Sequence, residues 1–384
     1  MRPISLPMHY RRFGKTELQL SVFSLGTMRY LDSEETAYQT IIAAIDQGIN
    51  HLETARGYGD SEKFLGRALK RGLPAPRSQL CITTKALLTA DPSEMSRTID
   101  ESLAQLGVDY VDTLALHGLN TWEHLEWVQL DRGCMEPVRQ AVADGRVRHV
   151  GFSTHGPLEV ILAAIATDLF EFVNLHYTYF FQRNAAAVDL AHQMDMGVFL
   201  ISPADKGGLL YTPPDRLAEL FQPFSPLELN YRFALSDPRI HTLSFGPANP
   251  SELAWPLSVS DRTHPLTPEE LQVFDRLEAQ HQQGLGSDRC SQCYACLPCP
   301  ESINIPEVLR LRNLAVAYDM TQFGQYRYEM FENGGHWVPG NKANRCTDCG
   351  DCLPRCPEEL DIPKLLRDTH QHLSGKPRRR LWEE

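Results

Sequence analysis

Eight of the ten cysteines in this sequence lie in two short runs near its C-terminal end. The runs are Cys290, Cys293, Cys296 and Cys299, followed by Cys346, Cys349, Cys352 and Cys356. Gaps of two residues let a looping backbone present successive thiolates to one centre. Structural disulfides are usually spread across the fold of an exported protein, whereas the N-terminal stretch MRPISLPMHYRRFGKT lacks the apolar core of a secretory signal. The spacing therefore predicts metal binding.

Each cysteine run ends in Cys-Pro, and the two runs together resemble the helical two-cluster ferredoxin module. In that family the cysteine before proline binds the cluster of the other run. The resemblance implies two [4Fe-4S] clusters, one held by Cys290, Cys293, Cys296 and Cys356 and the other by Cys346, Cys349, Cys352 and Cys299. The first run has two residues, not three, before its last cysteine, which leaves the partner of Cys299 open. Zinc bound by CxxC pairs and disulfides are the alternatives.

A second set of reactive side chains stands at the ends of three short apolar runs. Glu53 and Tyr58 occur in HLETARGYG, Lys85 in CITTKA and His117 in TLALHG. The pKa of tyrosine is normally about 10, and a nearby ammonium group favours the phenolate. A carboxylate could fix the lysine, and a histidine could orient a carbonyl group. Together they suit carbonyl reduction, with hydride added to carbon and a proton to oxygen, although each residue alone also has an ordinary structural explanation.

Eight apolar runs alternate with amphipathic helical stretches over about residues 20–260, and we expect them to be strands. They are Val22–Gly26, His51–Ala55, Leu80–Ala86, Tyr110–His117, His149–Thr154, Phe172–Tyr177, Val198–Pro203 and His241–Gly246. Strands that are apolar on both faces and separated by helices indicate a parallel sheet. Eight such repeats predict an α/β fold, a closed (β/α)8 TIM barrel, whose chemistry lies at the C-terminal ends of the strands.

Residues typical of helix ends support the predicted barrel and indicate where the barrel domain ends. Ser33 and the Asp91-Pro92 pair begin predicted helices. The stretch Leu266–Gln283 predicts one more capped helix, and Gly284–Ser287 is interpreted as a linker. We therefore expect a barrel domain over 1–284 and a small, mostly helical iron–sulfur domain over 285–384.

Several stretches, including GINHLETARGYGDSEKFLGRAL, LGVDYVDTLALHG, GRVRHVGFSTH and ISPADKGGLL, resemble the aldo-keto reductase family over about residues 9–255. The resemblance implies a catalytic tetrad of Glu53, Tyr58, Lys85 and His117, with Tyr58 as proton donor and glutamate in the place of the usual aspartate. It also implies NADP as cofactor, with NAD possible, bound without a GxGxxG motif. The implied cofactor contacts are Ser153, Asn174, Ser202, Lys206, Gly246 and Glu252.

Charge and hydropathy narrow the functional classes. The net charge of −12 argues against nucleic acid as a partner, because phosphate binding needs a basic face. No apolar run reaches the length of about 18 residues that a membrane helix requires, and we expect a cytoplasmic protein. The basic run KPRRR at 376–380 is interpreted as a solvated terminus.

Three functional hypotheses remain open at this point. The first is a redox enzyme in which a small carbonyl or alcohol reacts with NAD(P) in the barrel, and the clusters exchange electrons with a protein partner. Because a nicotinamide transfers two electrons and a cluster takes one, this coupling is a hypothesis. The second is an independent reductase with structural or redox-sensing clusters. The third is an electron-transfer or scaffold protein with a catalytically impaired barrel.

Overall fold

The computed structural model describes residues 8–30 and 33–376. Within these ranges, eight parallel strands close into a barrel, in the order β10-β3-β4-β5-β6-β7-β8-β9, which confirms the predicted fold. The strands are β1 Tyr10–Arg12, β2 Gln19–Ser21, β3 Phe23–Gly26, β4 His51–Glu53, β5 Cys81–Leu87, β6 Val111–His117, β7 Val147–Ser153, β8 Phe172–Leu175, β9 Gly197–Leu200 and β10 Thr242–Phe245. Residues 377–380 of the basic run lie outside the described residues.

Helices follow most of the strands. They are α1 Glu34–Asp46, α2 Ser61–Arg71, α3 Pro92–Leu106, α4 Trp122–Gln129, α5 Met135–Ala143, α6 Leu158–Ala166, α7 Ala185–Gln193, α8 Asp215–Phe221, α9 Pro226–Leu235, α10 Ala254–Leu257, α11 Pro268–Leu285, α12 Ile305–Tyr318, α13 Thr321–Tyr328 and α14 Ile362–Leu373. As expected, Ser33 and Asp91 accept hydrogen bonds from the first turns of α1 and α3. No helix in the described part of the chain is long and apolar enough to cross a membrane.

The interpretation of Gly284–Ser287 as a linker is wrong. Helix α11 continues through Gly284 to Leu285, and a 3-10 turn over Gly286–Asp288 follows directly. The helix ends at Gly286, whose φ of 51° lies in the left-handed region that glycine adopts without a side-chain clash. The glycines therefore end a helix and do not form a flexible spacer.

An antiparallel hairpin, β1–β2, precedes the barrel and was missed in the sequence. It carries Phe13, which is buried and packs against Phe172 with ring centroids 5.5 Å apart. A Cβ atom on Gly197 would lie 2.6 Å from the Phe13 ring, so only glycine fits there. Because Gly197 and Phe172 begin strands β9 and β8, the hairpin closes the N-terminal end of the barrel and leaves the C-terminal end for the site.

The barrel interior contains a hydrogen-bonded polar layer. His51 Nδ1 lies 2.6 Å from Ser24 Oγ, and His51 Nε2 lies 2.6 Å from Thr83 Oγ1. Ser24 also bonds Thr242 at 2.6 Å, and Thr83 bonds Thr113, so the layer spans five strands. Side chains two residues apart in a strand point to the same side, so Glu53 and Lys85 lie one step above this layer.

The described residues form two compact units. One contains residues up to Pro203 together with Asn230–Pro265, and the other contains Ala204–Leu229 and the residues from 266 onward. Residues 204–229, including helix α8, therefore belong to the same unit as the cysteine runs. The domain limits at 284 and 285 stay a prediction.

Candidate active site and candidate cluster sites

Lys85 is the centre of a polar cluster at the C-terminal end of the barrel. It is 1% exposed, and its ammonium group forms an ion pair with the Glu53 carboxylate. The same nitrogen donates to the Tyr58 hydroxyl at 3.1 Å and to the Thr54 carbonyl at 3.1 Å. The strand register makes this possible, since Glu53 in β4 faces Thr83, two residues before Lys85 in β5. Glutamate therefore reaches the lysine.

Tyr58 and His117 lie against each other beside Lys85. Their ring centroids are 5.8 Å apart with an interplanar angle of 84°, and the Lys85 ammonium lies 4.6 Å from the Tyr58 ring centroid. The four tetrad residues suggested by the resemblance are thus brought together.

The pKa of the Tyr58 phenol differs from the sequence expectation. A lowered pKa was expected from the neighbouring ammonium, but burial raises the pKa of Tyr58 above its usual value of about 10. The physical reason is that desolvation by burial disfavours the charged phenolate. Tyr58 is consequently protonated at neutral pH, which suits a proton donor.

The buried His51 below the cluster is neutral. Burial and the positive charge of Lys85 lower its pKa to about 3. Because the imidazole is neutral, it adds no positive charge to the site. The positive charge in contact with Tyr58 is the Lys85 ammonium. His51 therefore shapes the electrostatics of the site without titrating near neutral pH.

Two of the predicted nicotinamide contacts lie in one row with His117. The register pairs His117 with Ser153, and Ser153 with Asn174. Ser153 Oγ accepts from the Gly118 backbone N–H at 3.3 Å. Asn174 is completely buried, yet neither its amide oxygen nor its nitrogen has a hydrogen-bond partner among the described residues. Since buried polar groups are nearly always paired, this orphaned amide fits a carboxamide such as that of nicotinamide.

The adenosine-side residues lie near an arginine that sequence reasoning missed. Glu252 forms an ion pair with Arg29 at 2.7 Å and accepts from the Ala248 N–H at 3.1 Å. Arg29 also donates to the Gly246 carbonyl at 3.1 Å. Only the three-dimensional fold brings Arg29, which follows β3, to the loop after β10.

The other two predicted cofactor contacts follow β9. Ser202 adopts a left-handed backbone conformation with φ of 49°. Lys206 belongs to the second unit, where burial and the charge of Arg327 lower its pKa to about 7. Its neighbour Asp205 accepts from Tyr211 at 3.0 Å and from Tyr326 at 3.3 Å. Their role in cofactor binding stays a prediction.

The eight clustered cysteines line two cavities in the second unit. Cys290, Cys293, Cys296 and Cys356 line one cavity together with apolar residues such as Leu309 and Leu360. Cys299, Cys346, Cys349 and Cys352 line the other, with Ile305 and Leu366. The last cysteine of each run therefore faces the cavity of the other run, as the ferredoxin resemblance implied.

The two cysteine loops repeat the same backbone geometry. Gln292 and Asp348 precede the second cysteine of each run with φ of 58° and 56°, and Tyr294 and Gly350 follow it with φ of 62° and 81°. In both halves the N–H three residues after the Cys-Pro cysteine donates to that cysteine's carbonyl, at 2.9 and 3.2 Å. Left-handed residues bend the loop sharply, and this turns successive thiols toward one cavity.

Four cysteines line each cavity, and four thiolates are the usual ligand set of a [4Fe-4S] cluster. Among the described residues, no group of three or more potential ligands is placed to hold a single metal ion. All ten cysteines are free thiols, so no disulfide competes. Burial raises the pKa of the Cys296 thiol to about 12, so cluster binding must displace its proton.

Comparison with protein families gives two matches along the chain. The first, described as the Aldo/keto reductase family, covers residues 23–279. The second, described as a 4Fe-4S dicluster domain, covers residues 289–361. The two regions follow each other in the order expected from the sequence.

Individual relatives agree with the first match. The chain is 31% identical over 170 residues to 6-dehydroglucose reductase of Novosphingobium aromaticivorans, covering 40% of this chain and 54% of the relative. It is 28% identical over 166 residues to L-glyceraldehyde 3-phosphate reductase of Escherichia coli, covering 39% of this chain and 46% of the relative. The chain thus spans about half the length of these relatives.

Solved structures share the fold. The holo form of aldo-keto reductase AKR11C1 from Bacillus halodurans superposes with a TM-score of 0.61 at 22% identity, covering 70% of this chain and 96% of that chain. A putative aldo-keto reductase from Pseudomonas aeruginosa gives 0.57 at 18% identity, covering 68% and 99%. At this identity the likeness concerns the barrel fold alone.

Proposed function

Because the chain belongs to the Aldo/keto reductase family, we propose that it is an oxidoreductase that uses NADP, or NAD, to reduce a small carbonyl compound or oxidise the corresponding alcohol. The C-terminal module, which matches a 4Fe-4S dicluster domain, holds two [4Fe-4S] clusters that exchange electrons with a protein partner. The relatives named above act, by their names, on carbonyl compounds, which supports this substrate class.

The observation that carries the proposal is the position of the Lys85 ammonium between Glu53 and Tyr58. An ion pair and two hydrogen bonds hold this buried nitrogen. A fixed positive charge beside the phenol stabilises the phenolate that forms when Tyr58 gives up its proton. These contacts arrange the site for proton transfer.

The chain's residues then have the following roles. The nicotinamide, when bound, supplies or accepts the hydride. Asn174 and Ser153 hold its carboxamide, His117 orients the substrate carbonyl, and Tyr58 donates the proton to the carbonyl oxygen. Glu53 and Thr54 keep the Lys85 ammonium in place while the phenolate exists. The barrel around Lys85 keeps water away, which strengthens each of these electrostatic interactions.

In each cluster, three ligands come from one cysteine run and the fourth is the last cysteine of the other run. Cys290, Cys293, Cys296 and Cys356 hold one cluster, and Cys299 with the second run holds the other. A cluster transfers one electron at a time. The alternative functions differ in whether this electron transfer is coupled to the barrel.

The first test is anaerobic purification with iron and sulfide analysis, followed by an absorbance titration with NADPH. We expect about eight irons per chain and bleaching of the cluster absorbance on NADPH addition, with an added mediator if electron exchange is slow. Eight irons without bleaching would point to two independent parts, and zinc in place of iron would overturn the cluster assignment.

A second test addresses the barrel alone. Tyr58→Phe removes the proton donor, and we expect turnover of carbonyl substrates to fall by about 10²–10⁴-fold. Tyr38→Phe is the matched control, since the Tyr38 hydroxyl donates to the Gly72 carbonyl far from Lys85. If both variants retain wild-type turnover, or if the protein binds no nicotinamide, the scaffold function is favoured.

A further inference from the structure

A group of buried polar atoms without partners lies between strand β8 and the start of α7. Among the described residues, this stretch contributes both polar atoms of Asn174, Thr178 Oγ1, Arg183 Nε and Asn184 Oδ1, and other such atoms lie elsewhere in the chain. Four residues within one stretch of eleven thus have unsatisfied groups, whereas such groups are normally few and scattered. Asn174 is assigned to the nicotinamide, so the other three call for a ligand or water of their own.

Arg183 is the charged member of this group. One of its terminal nitrogens donates to the Gly156 carbonyl at 3.0 Å, and its guanidinium carbon lies 5.0 Å from the centroid of the Phe181 ring. No carboxylate of the described residues lies within ion-pair distance of it. The buried Nε of Arg183 has no partner among the described residues, so this guanidinium retains the capacity to donate to an anion.

Two histidines next to Arg183 form a fixed chain across the strand ends. His176 Nε2 lies 3.0 Å from His155 Nδ1, and His176 Nδ1 lies 2.9 Å from the Ile201 carbonyl. Because a carbonyl oxygen can only accept, His176 carries a proton on Nδ1. The His155 N–H donates to Asn120 at 2.7 Å, which fixes the His155 backbone as well.

The position of this chain relates it to the active site. His155 and His176 each follow a proposed nicotinamide contact, Ser153 and Asn174, by two residues. Both histidines lie just beyond the C-terminal ends of their strands, β7 and β8, and these are the ends of the barrel strands at which the tetrad lies. The loop itself is stiff, since Thr178 and Phe181 exchange two backbone hydrogen bonds of 2.9 and 3.1 Å.

We propose that Arg183, together with His155 and Thr178, forms a subsite for the anionic group of the substrate, so that the preferred substrates are carbonyl compounds bearing a carboxylate or a phosphate. This inference rests on the proposed function. An arginine guanidinium and a threonine hydroxyl are suitable donors to either anion. Anion binding here gives Arg183 its counter-ion and leaves the carbonyl end of the molecule directed toward Tyr58.

The experiment compares matched substrates that differ in charge. The carboxylate pair is 4-carboxybenzaldehyde and its methyl ester, and the phosphate pair is glyceraldehyde 3-phosphate and glyceraldehyde. In the wild-type protein we expect a higher kcat/KM for the anionic member of at least one pair. In Arg183→Gln the anionic-to-neutral ratio of kcat/KM should fall on the order of 10- to 100-fold, mainly through KM. Arg132→Gln, an exposed arginine elsewhere in the barrel, should leave the ratio unchanged.

A binding measurement separates this inference from the proposed function. Calorimetry on the full-length, nucleotide-free protein should show that Arg183→Gln weakens binding of 4-carboxybenzaldehyde by a similar factor. If neither aldehyde is turned over but this Arg183-dependent binding persists, the proposed function fails and the subsite stands. If Arg183→Gln does not fold, the same measurements are made on His155→Asn. We then expect a smaller fall in the anionic-to-neutral ratio of kcat/KM.

Two outcomes overturn the subsite. One is an anionic-to-neutral ratio that Arg183→Gln and His155→Asn leave at the wild-type value. The other is competition of the anionic compound with NADPH and not with the neutral aldehyde, which would assign these donors to the phosphates of the nucleotide.

Discussion

The barrel site and the cysteine loops achieve functional geometry in different ways. In the barrel, parallel strands fix Glu53 and Lys85 by register, and these two side chains form an ion pair with each other. In the cysteine region, loops with left-handed residues bring eight thiols around two cavities. The Glu53–Lys85 pair is therefore organised by the fold alone, whereas the thiols are arranged for a ligand.

This difference has an energetic consequence. A buried ion pair that is broken on one side leaves an uncompensated charge, so damage to the barrel site should appear as lost stability of the barrel. Metal-thiolate bonds replace a hydrophobic core in small metal-binding modules, and their binding free energy is then folding free energy. The cysteine loops should therefore unfold when the metal is removed, while the barrel should not.

Iron removal is the prediction with the largest expected effect. Chelation under anaerobic conditions should abolish hydrogen-exchange protection in the two cysteine loops, residues 290–299 and 346–356, because no disulfide links their thiols. Helix α12 buries Val308, Leu309 and Leu311 and should keep part of its protection. Protection in the barrel strands β3 to β8 should remain. Retained protection of the cysteine loops in iron-free protein would show that they fold without metal, and it would remove the contrast between the two regions.

Much of the fold was predictable because local and long-range signals agree. All eight barrel strands were expected within a few residues, since each is a short apolar run and helical stretches separate these runs along the chain. Phe13 in the missed hairpin could not be assigned, because its role depends on Gly197, more than 180 residues away in sequence. Likewise, Gly284 was interpreted as part of a linker because glycine has a low helix propensity. The structure shows that α11 nevertheless continues through Gly284 to Leu285.

The site was predictable to a similar degree. Glu53, Tyr58, Lys85 and His117 were identified because strand ends converge in a barrel. His155 and His176 were missed, although each follows a predicted cofactor contact, Ser153 or Asn174, by two residues at the end of a barrel strand. That two-residue spacing was the available signal. Arg29 had none, since only tertiary structure brings it to Glu252.

Removing the charge of Glu53 tests how much the Glu53–Lys85 ion pair contributes to the stability of the barrel. Glu53→Gln leaves the Lys85 ammonium buried without its counter-ion, and we expect the free energy of unfolding of the barrel to fall by about 3–5 kcal/mol. Glu53→Asp keeps the charge and should lose less. Urea denaturation followed by hydrogen exchange of β4 and β5 measures the effect. Glu101→Gln, which removes a surface partner of Arg56, is the control and should change stability far less.

Acid should weaken the barrel through His51. Burial and Lys85 lower the pKa of His51 to about 3 from a usual 6.5, so the unfolded state binds a proton first as the pH falls. The stability that neutral His51 contributes is therefore fully present above pH 6.5 and is lost as the pH falls from 6.5 to 3. The free energy of unfolding should fall by no more than about 1.4 kcal/mol per pH unit in this window. In His51→Gln the slope of barrel stability against pH should be smaller over this window. An unchanged slope would mean that other groups, such as the buried His241, account for the acid sensitivity.

The smallest effect concerns the backbone of the cysteine loops. Gly350 has φ of 81°, and an added Cβ would lie 3.9 Å from its nearest neighbour, Leu353. The space is therefore sufficient, and Gly350→Ala should lower stability only through the cost of a left-handed residue, about 1–2 kcal/mol. The denaturant midpoint for loss of cluster absorbance measures this, with Gly375→Ala as the control because its Cβ would meet nothing within 4 Å and its φ is not positive. Tyr294 occupies the equivalent position of the first loop with φ of 62° and already bears a side chain. If Gly350→Ala is no worse than Gly375→Ala, metal–thiolate bonding determines the loop conformation so strongly that backbone preference no longer matters.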